Sequence, residues 1–292
     1  MTDFEMQYGR YQKIFEDHLT NFCANLECSP QILKESLVYS LKLGGKRIRP
    51  VLMLAFADLL GLEHSKVLNY ALALELIHTY SLIHDDLPEM DNDDFRRGKP
   101  SNHKVFGVGN AVLAGDGLLN TAYSILFGEC FNGSDCVSAA KYICDCAGIR
   151  GMIAGQSADL LHENDSVVDE KVLDFIHHNK TAKLIMAACV SPSILSQGKY
   201  YSEIKTFAAN LGLLFQLTDD ILDVEGSFES MGKSIGKDGA VGKYSAVRLY
   251  GLSDCKLRAD IIFDNCVKIL DGIEGDTGFL KNTVHFVRHR IN

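Results

Sequence analysis

Val67-Leu68-Asn69-Tyr70-Ala71-Leu72-Ala73-Leu74-Glu75-Leu76-Ile77-His78-Thr79-Tyr80-Ser81-Leu82-Ile83 is an almost unbroken apolar run. It is too long for a buried strand and rich in leucine and alanine, which predicts a core helix. Working outward, Ala111 to Phe127, Ala139 to Leu161, Val172 to Val190 and Glu203 to Val224 read the same way. Upstream, Ile32, Leu33, Leu37, Leu41 and Leu43 recur at roughly helical spacing until Gly44-Gly45 stops them. Alternation of β-branched residues between turns is absent, and only 5 prolines interrupt the chain. Breaks are expected at Gly61, Asn132-Gly133-Ser134-Asp135, Ser191-Pro192 and Gln197-Gly198-Lys199. The stretch Gly226 to Gly242 is too polar and glycine-rich to pack as a helix and reads either as a lid or as a slack surface loop. No composition shift marks a boundary, so the expectation is all-α, one domain over residues 1–292.

With 47% apolar residues in 292, the chain can bury a large core, which excludes disorder. A net charge of −9 argues against a general nucleic-acid binder, which needs a basic face. Small phosphorylated ligands remain open, because they need only a few well-placed cations. The start, Met1-Thr2-Asp3-Phe4-Glu5, lacks the basic and apolar segments of a signal peptide. The apolar stretch Val51 to Leu62 is broken by Asp58 and too short to span a bilayer. Nine cysteines without a Cys-x-x-Cys pair read as reduced thiols rather than disulfides or zinc ligands. A soluble cytoplasmic protein is the expectation.

Two acidic clusters stand against this apolar background. In Phe215-Gln216-Leu217-Thr218-Asp219-Asp220-Ile221-Leu222-Asp223, Asp219 and Asp223 lie one helical turn apart and share a face. Like charges there repel, and more strongly where water is excluded, so a cation should offset them. Asp85-Asp86-Leu87-Pro88-Glu89-Met90-Asp91-Asn92-Asp93-Asp94 ends the long apolar helix at its C-terminus, where the macrodipole is already negative. Pro88 marks where that helix bends or stops. Hard carboxylate oxygens without clustered Cys or His suit magnesium, which takes one or two carboxylates plus phosphate oxygens. Gly44-Gly45-Lys46-Arg47-Ile48-Arg49-Pro50 adds three cations after a helix stop, and Arg96-Arg97-Gly98 follows the first acidic cluster. The arginines read either as charge balance for Asp91 to Asp94 or as a second, metal-free diphosphate site.

In order and spacing, Gly44 to Pro50, Asp85 to Gly98, Gly155-Gln156-x-x-Asp159, Lys180-Thr181 and Phe215 to Asp223 resemble the trans-isoprenyl diphosphate (polyprenyl) synthase family. The likeness spans nearly the whole chain and is nearest to the bacterial short-chain farnesyl diphosphate synthases. It implies an all-α bundle around a deep central cavity, a homodimer, and three magnesium ions held with the allylic diphosphate. By motif matching it places Asp85, Asp86, Asp91, Asp219, Asp220 and Asp223 around those ions. Lys46, Arg49, His78 and Arg97 match the isopentenyl diphosphate contacts. Arg96, Lys180, Thr181, Gln216 and Lys233 match the allylic side, with Lys180, Thr181 and Gln216 supplying dipoles toward an allylic cation. Tyr80 and Ser81, one turn before Asp85, match the positions that limit product length, and an aromatic ring at Tyr80 resembles the farnesyl type.

Three features depart from the family pattern. Asn92 stands where aspartate is common. Gly242-Lys243-Tyr244-Ser245-Ala246 matches the family's lysine-threonine-tyrosine segment only loosely, and Arg288-His289-Arg290 reads either as a tail that closes on the site or as a solvated end. A terpene cyclase would lack the Gly-Gly-Lys-Arg segment, and a silent regulatory subunit would have lost one acidic cluster; both features are intact here.

Overall fold

The structure, a computed structural model, describes residues 2–163, 165–225 and 244–290. Its contacts divide the chain into two compact units, Met1–Ala140 and Lys141–Asn292.

In the first unit the quoted run forms α4 (Leu68–Asp85), whose residues from Tyr70 to Ile77 are all buried. A helix apolar on every side has to be enclosed. The enclosing elements are α1 (Asp3–Asn25), α2 (Gln31–Leu41), α3 (Ile48–Leu60) and α6 (Val108–Glu129). The short α5 (Asn102–Phe106) precedes α6. Sequence periodicity did not single out α1. It buries Tyr11, Phe15, Leu19 and Cys23, one residue per turn, and opens with a capping box in which Thr2 and Glu5 satisfy each other's backbone N–H. Among the described residues the only strands are β1 (Phe95–Arg96) and β2 (Lys99–Pro100), an antiparallel hairpin. The fold is all-α.

Beyond α7 (Ser134–Ala147), the second unit runs through α8 (Met152–His162), α9 (Glu170–Ile176), α10 (Lys183–Leu195), α11 (Tyr201–Glu225), α12 (Ala246–Tyr250), α13 (Leu252–Asp271) and α14 (Gly278–His289). Three sequence expectations are corrected here. The run Ala139 to Leu161 is two helices, because Gly148 and Gly151 break it. Val172 to Val190 is interrupted by a π-helical turn, His177–Ala182. Ser191-Pro192 is no break, since α10 continues through Pro192 while the buried Ser191 hydroxyl donates to the Ala187 carbonyl (2.7 Å). No described helix is long and apolar enough to cross a membrane.

Candidate active site

In the first unit α4 stops at Asp85, three residues before Pro88, because the residue preceding a proline disfavours helical geometry. The chain then turns tightly: the Asp91 N–H donates to the Asp85 carbonyl (2.9 Å) and the Asn92 N–H to that of Leu87 (3.0 Å). Asn92 has φ 50°, a left-handed conformation that asparagine tolerates well, which gives this departure from the family pattern a backbone reason. Asp86 is buried and accepts from Nε and Nη2 on one edge of the Arg96 guanidinium, with Nε at 2.9 Å from Oδ1; Asp93 stands 3.6 Å from Nη2. That cation answers the adverse helix-end field.

Arg96 and Arg97 diverge. The hairpin turns at Arg97-Gly98, both at positive φ as a two-residue type I′ turn demands. Arg96 is thereby aimed at the acids, while Arg97 donates to the Gly44 carbonyl. The next two carbonyls are also claimed by side chains, Gly45 by Gln12 (3.1 Å) and Lys46 by Tyr8 (2.6 Å), both from α1. Three consecutive carbonyls are thus tied back, fixing the loop that carries Lys46 and Arg49 to the N-terminus of α3, a position that favours anions. Arg47 behaves differently from its neighbours. It turns inward at φ 50° and spends its donors on Glu16 (2.7 Å), Glu75 (2.7 Å) and the Leu41 carbonyl (2.6 Å).

His78 sits among these cations. Burial first, then Arg49, Arg97, Arg47 and Arg96, hold its pKa well below the usual histidine value. The imidazole is therefore neutral in the folded chain, while the unfolded chain takes up the proton as pH falls through about 6.5. Stability linked to neutral His78 is present above that pH and is lost as pH falls toward the folded pKa. Unfolding free energy should accordingly fall more between about pH 7.5 and 5.5 in the wild type than in His78→Gln, as read by urea denaturation.

Tyr80 is buried, its hydroxyl has no hydrogen-bond partner among the described residues, and its ring stands edge-on to His84 at 5.7 Å. Burial raises its pKa to about 12, so it stays a neutral phenol. Ser81 donates to the His78 carbonyl (2.9 Å) and is satisfied within the helix.

In the second unit the π-turn is wedged between α8 and α11. Gly155 and Gly212 make this possible, because a Cβ on either would collide with the backbone at Lys180 or with Ala182. A π-turn of this kind often marks a functional site. It brings Lys180 to Asp159 (2.5 Å) and Thr181 to Gln216 (2.6 Å). Gln216 in turn reaches Asp220 (2.9 Å), which also accepts the Ala246 N–H (2.7 Å). Asp219 faces Arg290 (2.7 Å), whose guanidinium lies over the Phe215 ring and donates to the Phe215 carbonyl. The Asp219 pKa is raised by burial; Arg290 opposes this and Asp223 reinforces it. Arg288 instead reaches Asp260 (2.7 Å). Asp159, though inside a recognised motif, carried no assigned role in the sequence, and Arg290 was only one of two readings of a basic end. Lys233, Lys243 and the Gly226 to Gly242 segment lie outside the described residues.

Both clusters offer carboxylate oxygens only, and among the described residues no three His, Cys, Asp or Glu groups form a ready-made metal cage. Magnesium fits such a donor set, since it keeps water and takes its remaining ligands from phosphate. Asp219 and Asp223 share one helical face with Arg290 as the near cation of Asp219.

Comparison with known proteins identifies the family. A sequence model described as polyprenyl synthetase matches residues 30–271. Farnesyl diphosphate synthase of Bacillus subtilis is 41% identical over 270 residues, covering 90% of each chain. Geranylgeranyl pyrophosphate synthase 7 of Arabidopsis thaliana is 44% identical over 252 residues, covering 84% of this chain and 72% of that one. The crystal structure of a Helicobacter pylori geranyltransferase complexed with magnesium and isoprenyl diphosphate superposes with a TM-score of 0.84 at 31% identity, covering 98% of this chain and 97% of that one. The chain belongs to the polyprenyl synthetase family and is a prenyltransferase.

Proposed function

We propose that this prenyltransferase joins isopentenyl diphosphate head-to-tail to dimethylallyl or geranyl diphosphate, releasing diphosphate and giving mainly farnesyl diphosphate. Chain elongation is the reaction of its family, whose members generally use magnesium. The observation that carries the reading is the divergence of Arg96 and Arg97. It separates a carboxylate-rich place from a cationic one around neutral His78, as two differently held diphosphates require.

In this reading Lys46, Arg49, His78 and Arg97 hold isopentenyl diphosphate. Asp85, Asp86, Asp91, Asp219 and Asp223 hold three magnesium ions and the allylic diphosphate, while Asp220, matched to the same group by the family pattern, is taken up by Gln216 and the Ala246 N–H. Bound magnesium would neutralise the charge that develops on the departing diphosphate. Arg96 and Lys180 add positive charge on that side, joined by Lys233. Thr181 and Gln216 direct dipoles at the allylic cation, and an apolar cavity closed to water keeps it from being quenched. No side chain is assigned as general base; the released diphosphate takes the proton.

A cytoplasmic homodimer completes the proposal, with residues 1–292 acting as one domain. The nine thiols, none in a disulfide, suit a reducing compartment. Exposed Val108, Val112, Leu113, Phe127 and Phe131 offer an apolar surface for a second copy. Light scattering of the purified protein checks the mass.

The deciding experiment incubates purified protein with magnesium, isopentenyl diphosphate and each allylic primer and reads product length. Absence of condensation with every primer would overturn the proposal. Tyr80 favours the farnesyl product over the geranylgeranyl one, because its buried ring can close the pocket. Tyr80→Ala should therefore shift the main product to longer chains; an unchanged distribution removes Tyr80 from that role.

A further inference from the structure

We propose that Asp220 is a positioning residue that sets the direction of the hydrogen-bond chain ending at Thr181, so that the threonine presents lone pairs rather than a proton to the reacting centre. The inference rests on the condensation reaction proposed above.

The argument is one of donors and acceptors. Asp220 is buried and, as a carboxylate, only accepts. Oδ2 takes the Ala246 N–H at 2.7 Å, with His177 Nε2 3.4 Å away. Oδ1 takes Gln216 Nε2 at 2.9 Å. The amide nitrogen of Gln216 must therefore face Asp220, which forces its oxygen toward Thr181. An amide oxygen has no proton, so the Thr181 hydroxyl has to donate to it, at 2.6 Å. The threonine proton is thereby committed, and its lone pairs are directed away from Gln216. Lone pairs aimed at a developing cation stabilise it, and a proton aimed there does the reverse. Asp223 is exposed and Asp219 half-exposed, whereas Asp220 is buried against Gln216 and the Ala246 N–H, so this task is separate from theirs.

Asparagine at 220 undoes the arrangement in a defined way. Its oxygen keeps the Ala246 N–H, its amide group turns to Gln216, and Gln216 has to flip. Thr181 then accepts from the glutamine nitrogen and its proton is free to face the centre. Asp220→Asn should lower kcat by about 10²-fold with KM for the allylic diphosphate within about threefold. The double variant Asp220→Asn/Gln216→Glu restores an acceptor facing Thr181 and should regain about tenfold of that loss. In a Thr181→Val background, which has no hydroxyl to orient, Asp220→Asn should add less than about threefold to the loss.

These are measured as steady-state kcat and KM beside calorimetric magnesium titrations with inorganic diphosphate, and circular dichroism selects the folded variants. If Asp220→Asn raises the magnesium midpoint and regains its kcat at saturating magnesium, Asp220 is a metal ligand and the inference falls. If the double variant is no faster than Asp220→Asn, or if Asp220→Asn costs as much in the Thr181→Val background as in the wild type, the polarity argument fails while the proposed reaction stands. A wild type that condenses nothing overturns both.

Discussion

Asp219→Asn should lower kcat for condensation by about 10²–10³-fold and raise the magnesium concentration needed for half-maximal rate. The carboxylate is half-exposed by area, shares a helical face with Asp223 and has Arg290 as its near cation; desolvation raises its pKa, Arg290 opposes this and Asp223 reinforces it. Asparagine retains the shape but removes the charge that attracts the ion. Arg290→Gln should act in the opposite direction on binding. Arg290 competes for the same oxygen, so its loss should lower the magnesium midpoint, read by calorimetry with inorganic diphosphate, even if turnover falls. Equal midpoints in wild type and both variants would place magnesium elsewhere.

Arg47→Met should cost about 3–5 kcal/mol of unfolding free energy, the typical loss when one partner of a buried ion pair is removed. Arg47 and Glu75 are each almost fully enclosed, with side-chain exposures of 1% and 2%. Methionine would leave the Glu75 carboxylate buried without its cation and free the Leu41 carbonyl. Arg47→Met combined with Glu75→Leu should recover most of the loss, because desolvating both charges is what makes the pair expensive. Urea denaturation of the three proteins checks this. A single variant within about 1 kcal/mol of wild type would show that Glu75 adjusts by taking up a proton.

Much of this protein is legible in its residues because apolar periodicity and like-charge spacing are local. The core helix α4, the stop at Gly44-Gly45, the turn face shared by Asp219 and Asp223, and the acids at the end of α4 all follow from near neighbours in sequence. What was hidden depends on partners far away. Arg47 and Arg49 look alike in sequence, yet only Arg47 meets Glu16 and Glu75, 31 and 28 residues distant, and turns inward. The π-turn exists because Gly155 and Gly212 admit it from two other helices, a condition invisible within Val172 to Val190. Pro192 reads as a terminus because its missing N–H is a local signal, whereas its place in the buried stretch 184–193 of a helix is not. Helix α1 passed unnoticed because only one residue per turn is apolar enough to bury.

The tie-back of the Gly44 to Lys46 carbonyls reaches beyond the cationic loop itself. Two of its three anchors, Tyr8 and Gln12, precede residue 30, where the family match begins. An expression clone trimmed to the matched span would keep both acidic clusters and lose the grip on the cationic loop. It would also lose the buried Phe15 and Leu19 and the Glu16 partner of Arg47, so it should unfold at lower urea than the full chain. The boundary drawn by family likeness is therefore narrower than the set of residues that holds the Gly44 to Lys46 loop in place.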